Sequence, residues 1–278
     1  MKHTLNHLIQ LQELNFALAE QQASQPGARL KQLEEAIDKL RSKLPEDLAT
    51  RYLKLQQRSQ LVVVPIVRNN NCAGCGVAVA TGLANEIRAA EQIHFCPNCG
   101  RFLYHAEGMP RRPDRPPGQR PQQTGIARFS DRALMLPELK AKTRDETITE
   151  LAELMAANGF IDDAATLADL ALRRETMVST AVERGIAFPH VRNVDTGSLT
   201  LALGLHPKGV KFDAPDGELT RIVFFMVIPT AASAFYLRLL AGLVKTFSTA
   251  KARNTLLKSD TPDKMWTNLV ALTRETVP

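Results

Sequence analysis

Four cysteines constrain this chain of 278 residues more than anything else in it: Cys72 and Cys75 form one Cys-x-x-Cys, and Cys96 and Cys99 form another after a gap of 20 residues. In that spacing two thiolate pairs can converge on one divalent cation, and zinc held by four sulfurs is tetrahedral and closed. Gly76 and Gly100 follow the two pairs, letting the backbone turn tightly behind the second sulfur and aim amides at the thiolates. Two redox dithiols or buried unligated thiols are the competing readings; the first lacks a thioredoxin-like strand–helix–strand setting. With four sulfurs at hand, neither His94 nor His105 is needed as a ligand. Residues 69–105 are therefore expected to be a small unit held by structural Zn2+ on Cys72, Cys75, Cys96 and Cys99.

Upstream, Leu30, Leu33, Ile37, Leu40 and Leu44 recur at alternating spacings of 3 and 4, the seam of a short coiled coil. Leu5, Leu8, Leu11 and Leu14 recur every three residues, and Ser24-Gln25-Pro26-Gly27 supplies the breaker for an antiparallel return. Residues 1–68 thus read as a helical hairpin. Pro45 fits the first turn of a further helix with Leu48, Tyr52 and Leu55 inward, and Leu61 to Val67 turns to strand chemistry. Two readings of the hairpin stand open: helices packing only on each other, or a docking surface for a partner helix or a second copy, which would make a homo-oligomer.

Downstream, residues 106–124 carry Pro110, Pro113, Pro116, Pro117 and Pro121 with almost no apolar side chains, a composition that builds no core and favours a semi-rigid spacer. Residues 125–278 alternate helical and strand patterns, which predicts one α/β domain. Helices are expected at Arg144–Asn158, Ala164–Arg174, Phe235–Ser248 and Pro262–Thr273, and strands at Ser198–Leu205 and Arg221–Ile228. The second strand is apolar throughout and should lie centrally in its sheet.

The formal charge of +6 suggests an anionic partner, but it is unevenly spread. Residues 125–278 hold 19 basic and 18 acidic side chains, and four zinc-bound thiolates would lower the total to about +4. Nucleic acid stays open as a partner without being required; the linker arginines Arg111, Arg112, Arg115 and Arg120 read first as solvated charge. The longest apolar run, Ile222 to Ile228, is far short of the ~20 residues of a membrane span, so no membrane association is expected. The first ten residues carry no continuous apolar signal core, so the chain is expected in the cytosol with its thiols reduced.

In the C-terminal half Arg173-Arg174-Glu175 is followed by Ser179-Thr180 and then Gly185-Ile186-Ala187-Phe188-Pro189-His190. Taken alone, a histidine after proline reads as a loop side chain. Yet neutral imidazole is nucleophilic enough to accept a phosphoryl group, and arginine can stabilise the transferred charge.

Two resemblances sharpen these readings. CAGCGVAVATGLANEI with FCPNCGRFLYH, preceded by a hairpin beginning LIQLQEL, resembles bacterial C4-type zinc-ribbon proteins with an N-terminal coiled coil, over about residues 1–105. That implies a zinc-stabilised interaction module linked to nucleic acid or the transcription machinery, with no catalytic role. FSDRALMLPELKAKTRDETITELAELMAANGF, ALRRETMVSTAVERGIAFPHVR, VKFDAPDGE and VFFMVIP resemble the phosphotransferase-system enzyme IIA domain of the fructose, mannitol and nitrogen-regulatory type, over nearly all of 125–278. The resemblance implies a mixed sheet flanked by helices and a histidine that takes phosphate from the phosphocarrier HPr. His190 occupies that position and Arg174 that of the active-site arginine.

Two departures stand out. The family's glycine-rich STGIGxG turn reads Ser179-Thr180-Ala181-Val182-Glu183-Arg184-Gly185 here, and Glu183 is expected to repel an incoming phosphoryl group. The family's second histidine falls at Tyr236, whose phenol donates a hydrogen bond but no positive charge. No IIB or membrane IIC segment occurs in these 278 residues, so a regulatory phosphoryl carrier, rather than a sugar transporter or a turnover enzyme, is expected. The alternative is a degenerate, non-phosphorylated IIA-like sensor whose zinc ribbon binds nucleic acid or the transcription machinery. The downstream regulatory target is not written in the sequence.

Overall fold

The computed structural model describes residues 2–24, 30–106, 124–194 and 199–277, which divide into two compact units, Met1–Gly108 and Met109–Pro278. The chain breaker at Gln25–Gly27 and all but the ends of the 106–124 spacer lie outside the described residues.

The first unit opens with α1 (Lys2–Ser24) and α2 (Leu30–Arg41) packed on each other. Leu8, Leu11 and Leu14 of α1 and Leu33, Ile37 and Leu40 of α2 are buried, as the apolar spacing requires. The second helix stops short of Leu44 because the last turn tightens: Lys43 and Leu44 donate to Leu40 and Arg41, three residues back, before Pro45. Helix α3 (Glu46–Gln56) follows, with Leu48 and Tyr52 buried.

Strands β1 (Val63–Val67) and β2 (Asn71–Cys72), helix α4 (Thr81–Ala89), and strands β3 (His94–Phe95) and β4 (Phe102–His105) complete the unit. The sheet order is β2-β1-β4-β3, with β1 parallel to β4 and the two outer pairings antiparallel. Hairpin and sheet share one core. Phe16 of α1 packs in the same cluster as Val64, Ile66, Ile87, Leu103, Cys72 and Cys96.

Gln12 fixes that junction. It is buried, its amide donates to the Val63 carbonyl at 2.8 Å, and its oxygen accepts from Val62 and Val63 N–H at 2.6 and 2.7 Å. Gln12→Leu would strip three buried backbone groups of their partners, at 1–3 kcal/mol each, and is expected to lower the stability of this unit by about 3 kcal/mol or more. The check is urea unfolding of a 1–106 fragment: the midpoint should fall with the slope unchanged.

The second unit begins with a short strand β5 (Met135–Leu136), then α5 (Arg144–Ala157) and α6 (Ala164–Met177). Thr143 and Glu146 form a reciprocal capping box on α5, and the Asp163 carboxylate caps α6 by accepting from Thr166 N–H at 3.0 Å. Strands β6 (Ala181–Val182), β7 (Ile186–Ala187), β8 (His190–Val194), β9 (Thr200–Val210) and β10 (Thr220–Pro229) follow. Helices α7 (Ser233–Phe247), α8 (Ala250–Leu257) and α9 (Pro262–Thr273) close the chain.

The sheet runs β5-β9-β10-β7-β6, with β8 also paired to β10. It is mixed: β10 lies antiparallel to β9 and parallel to β7 and β8. The apolar run of β10 is central, flanked on both edges, as its composition predicts. Helices α5 and α6 pack on β9 and β8, while α7 packs on β10 and α9 on β5. The predicted α/β architecture with flanking helices is the one observed, preceded by the helical and ribbon segments. Among the described residues, no helix is long and apolar enough to cross a membrane.

Candidate functional site

Two clusters are the candidates for chemistry, one in each unit. In the first, the four cysteine sulfurs lie within 4.8 Å of one another, with Cys72 Sγ 3.8 Å from Cys99 Sγ and Cys75 Sγ 3.6 Å from Cys96 Sγ. Each pair sits on the same turn. Gly76 N–H donates to Cys72 O at 2.8 Å and Gly100 N–H to Cys96 O at 2.9 Å, with the glycines at φ of 77° and 73°. That left-handed backbone is why glycine follows each pair.

Burial pushes the Cys72 and Cys96 thiols upward. Burial acts the same way on Cys75, but the Val77 amide, the Asn98 side chain and neighbouring thiols outweigh it and draw that group down to about 6. Four thiolates this close repel one another unless a cation neutralises them, which is the donor set of structural zinc. These residues fit the ion, and as a closed site they leave no position for a substrate. Arg51 of α3 braces the second turn: its guanidinium donates to Gly100 O at 3.0 Å and lies over the Phe95 ring at 3.8 Å.

In the second unit, His190 is the first residue of β8, paired in register with Met226 of β10. The segment before it is pinned on both sides. Phe188 N–H donates to Thr180 O, Pro189 O accepts from Met226 N–H, and the Phe188 ring stacks on Phe224 at 5.3 Å. The strand before His190 is short, Ile186–Ala187, because Phe188 gives its N–H to Thr180 O and Pro189 has none to give, while the register against β10 runs on unbroken from β7 into β8.

The His190 side chain is 1% exposed. Its Nδ1 lies 3.0 Å from Phe188 O, and a carbonyl only accepts, so this contact assigns the proton to Nδ1. The Tyr236 hydroxyl, from the first turn of α7, lies 3.4 Å from the same nitrogen, the ring centroids 5.2 Å apart. The structure therefore brings His190 and Tyr236 together. Arg174, in the last turn of α6, donates from Nη1 to Val178 O at 3.0 Å; α6 packs against β8.

One feature ties the end of α6 to the turn that departs from the glycine-rich pattern, and a second holds that turn from the other side of the chain. Glu175 is buried, its carboxylate accepting from the Thr180 N–H at 2.8 Å and hydroxyl at 2.7 Å. Arg184 takes the left-handed conformation at φ 69°, held by its N–H donating to Asp216 at 2.7 Å and its guanidinium to Ser248 O at 2.9 Å. Those bonds offset the roughly 1–2 kcal/mol that a side chain costs in this conformation. Glu183 is exposed beside it, where solvent screens its charge.

Arg192 is the site residue that sequence reasoning missed. It is 6% exposed, and its guanidinium carbon lies 4.8 Å from the centre of the Tyr236 ring. The signal was present: two residues along a strand return to the same face, so His190-x-Arg192 places both side chains together.

A family model described as phosphoenolpyruvate-dependent sugar phosphotransferase system, EIIA 2, matches residues 129–270, and one described as a C4-type zinc ribbon domain matches residues 71–103. The fructose-specific EIIA component of Haloferax volcanii is 27% identical over 137 residues, 49% of this chain and 89% of that protein. A nitrogen regulatory protein of Pseudomonas aeruginosa is 28% identical over 124 residues, 45% of this chain and 80% of that protein. Among solved structures, the nitrogen regulatory protein IIA-Ntr of Neisseria meningitidis is similar over 52% of this chain and 98% of its own, with 23% identity and a TM-score of 0.48.

Proposed function

This chain belongs to the phosphoenolpyruvate-dependent sugar phosphotransferase system EIIA 2 family, and from that premise we propose that it is a regulatory phosphocarrier that accepts a phosphoryl group on His190 Nε2 from an HPr-like protein. The observation that carries this reading is the bond between Nδ1 and Phe188 O. With the proton held on Nδ1, the lone pair sits on Nε2, the nucleophilic nitrogen. In the transfer, that lone pair forms a bond to phosphorus while the donor's own nitrogen–phosphorus bond breaks. The donor nitrogen keeps the bonding electrons and takes up a proton, and His190 keeps its Nδ1 proton. The chain is a carrier, returned to its starting form when it passes the group on.

Arg174 is proposed to assist by charge. The Tyr236 oxygen faces a nitrogen already donating to a carbonyl and contributes at most a long hydrogen bond. The zinc-stabilised first unit is proposed as the interaction module that presents the phosphorylation state to a regulatory target, protein or nucleic acid. In this reading the protein works in the cytosol, where the phosphate donor is.

A second reading, a IIA-like sensor that is never phosphorylated, draws on the 1% exposure of His190, which a donor would have to reach. Incubation with HPr, its kinase and labelled phosphoenolpyruvate separates the two. The carrier reading expects one label per chain. It further expects Arg174→Ala to slow labelling by about tenfold to a hundredfold and Tyr236→Phe to change it by less than about threefold. Absence of label on the wild-type protein, while a close IIA homologue is labelled alongside, favours the sensor.

A further inference from the structure

Resting on the phosphocarrier reading, we propose that Arg192 is the residue that holds the charge of the phosphoryl group on His190, with Tyr236 as the platform that orients it. A phosphorylated imidazole carries between one and two negative charges, and a buried charge of that size needs a cation in contact with it. His190 and Arg192 are 1% and 6% exposed. They stand two residues apart on β8, about 6.6 Å along the strand, on one face. Both are fixed by the central strand, with Met226 opposite His190 and Ile228 opposite Arg192.

The stacking geometry supplies the orientation. Arg192 lies over the Tyr236 ring at 4.8 Å, and the hydroxyl of that same ring reaches His190 Nδ1 at 3.4 Å. Stacking occupies one face of the guanidinium, whereas its donors lie around the edge in a fork that matches a phosphoryl group. Tyr236 therefore does for the site what a neutral residue can do: it positions a cation without being one. This also gives the tyrosine a reason to be buried beside the histidine that its long hydrogen bond alone does not.

The step Arg192 assists is the one already written, bond formation at Nε2 with the electron pair and a proton going to the donor nitrogen. As the group arrives, negative charge moves from the donor into the buried site, so a fixed cation stabilises both the transition state and the product.

The test uses the full-length, zinc-loaded chain and phosphorylated HPr as donor, comparing wild type with Arg192→Gln, Arg192→Lys and the double variant Arg192→Gln/Tyr236→His, each checked for a wild-type melting transition. Arg192→Gln should lower the labelling rate and the lifetime of the label on the order of 10²-fold. Arg192→Lys should fall between wild type and Arg192→Gln, because the charge is retained while the fork and the face over the ring are lost. A protonated imidazole at 236 should restore labelling to Arg192→Gln, a rescue that a purely structural role for Arg192 does not produce. Arg192→Gln labelled like wild type overturns the inference and leaves the phosphocarrier reading standing. So does Arg192→Lys losing as much as Arg192→Gln while still folded, and if Arg192→Gln does not fold, Arg192→Lys decides. Wild type that takes no label sinks the carrier reading, and this inference falls with it.

Discussion

Cys96→Ala is expected to release the metal and unfold residues 2–106 as a unit, while residues 124–277 keep their own cooperative transition. Structural zinc contributes on the order of 10–16 kcal/mol to small metal-stabilised folds, comparable to the whole stability of a typical domain, about 5–15 kcal/mol. The loss is not confined to the cysteine-bearing segment. Cys96 and Cys72 are buried in the same cluster as Phe16, and Gln12 of the same helix satisfies the backbone of β1. The core on which α1 rests thus includes the metal ligands themselves. Differential scanning calorimetry checks this: two transitions in wild type should become one in Cys96→Ala or after chelation, with metal analysis falling from one zinc per chain to none. A first unit that melts unchanged without metal would contradict it.

His190→Ala is expected to abolish phosphoryl labelling, a loss on the order of 10⁴-fold or more, the scale seen when a covalent nucleophile is removed. Stability should change far less. The substitution leaves the Phe188 carbonyl short of one partner and opens a small void, about 1–3 kcal/mol in total. The β8 register with β10 rests on backbone bonds that alanine keeps. Labelling by phosphorylated HPr beside a thermal melt separates the two effects: label absent with the second unit still folded is the expected pair. Label that survives would leave phosphate acceptance standing and move the site to another residue.

What could be read from the residues alone was whatever is local or strictly periodic. The two cysteine turns are written within five residues each, glycine included, and both form as the spacing requires. Helix α9 begins and ends where its pattern does, because Thr261 caps it and Pro262 starts it. The apolar run of β10 gave its central place. Features that depend on partners distant in sequence were hidden. Helix α8 buries only Ala252 and Leu256, too little for an apolar stripe. Strand β9 runs beyond Leu205 to Val210 by pairing with the start of β10, where His206 to Gly209 are largely solvent-facing and no alternation marks them. Gln12 looks like a surface residue of an amphipathic helix until the backbone of β1 is seen against it. Arg192 was legible in part, since the His190-x-Arg192 spacing puts both on one strand face, but the Tyr236 ring beneath it comes from α7 and was hidden.

The most direct test is a proton–nitrogen spectrum of the histidine side chains in the protein phosphorylated by HPr. The account predicts phosphorus on Nε2 of His190 and no other imidazole, with the Nδ1 proton retained and still bonded to Phe188 O. Phosphorus on Nδ1, on a different histidine, or on none while HPr itself remains phosphorylated, would contradict it.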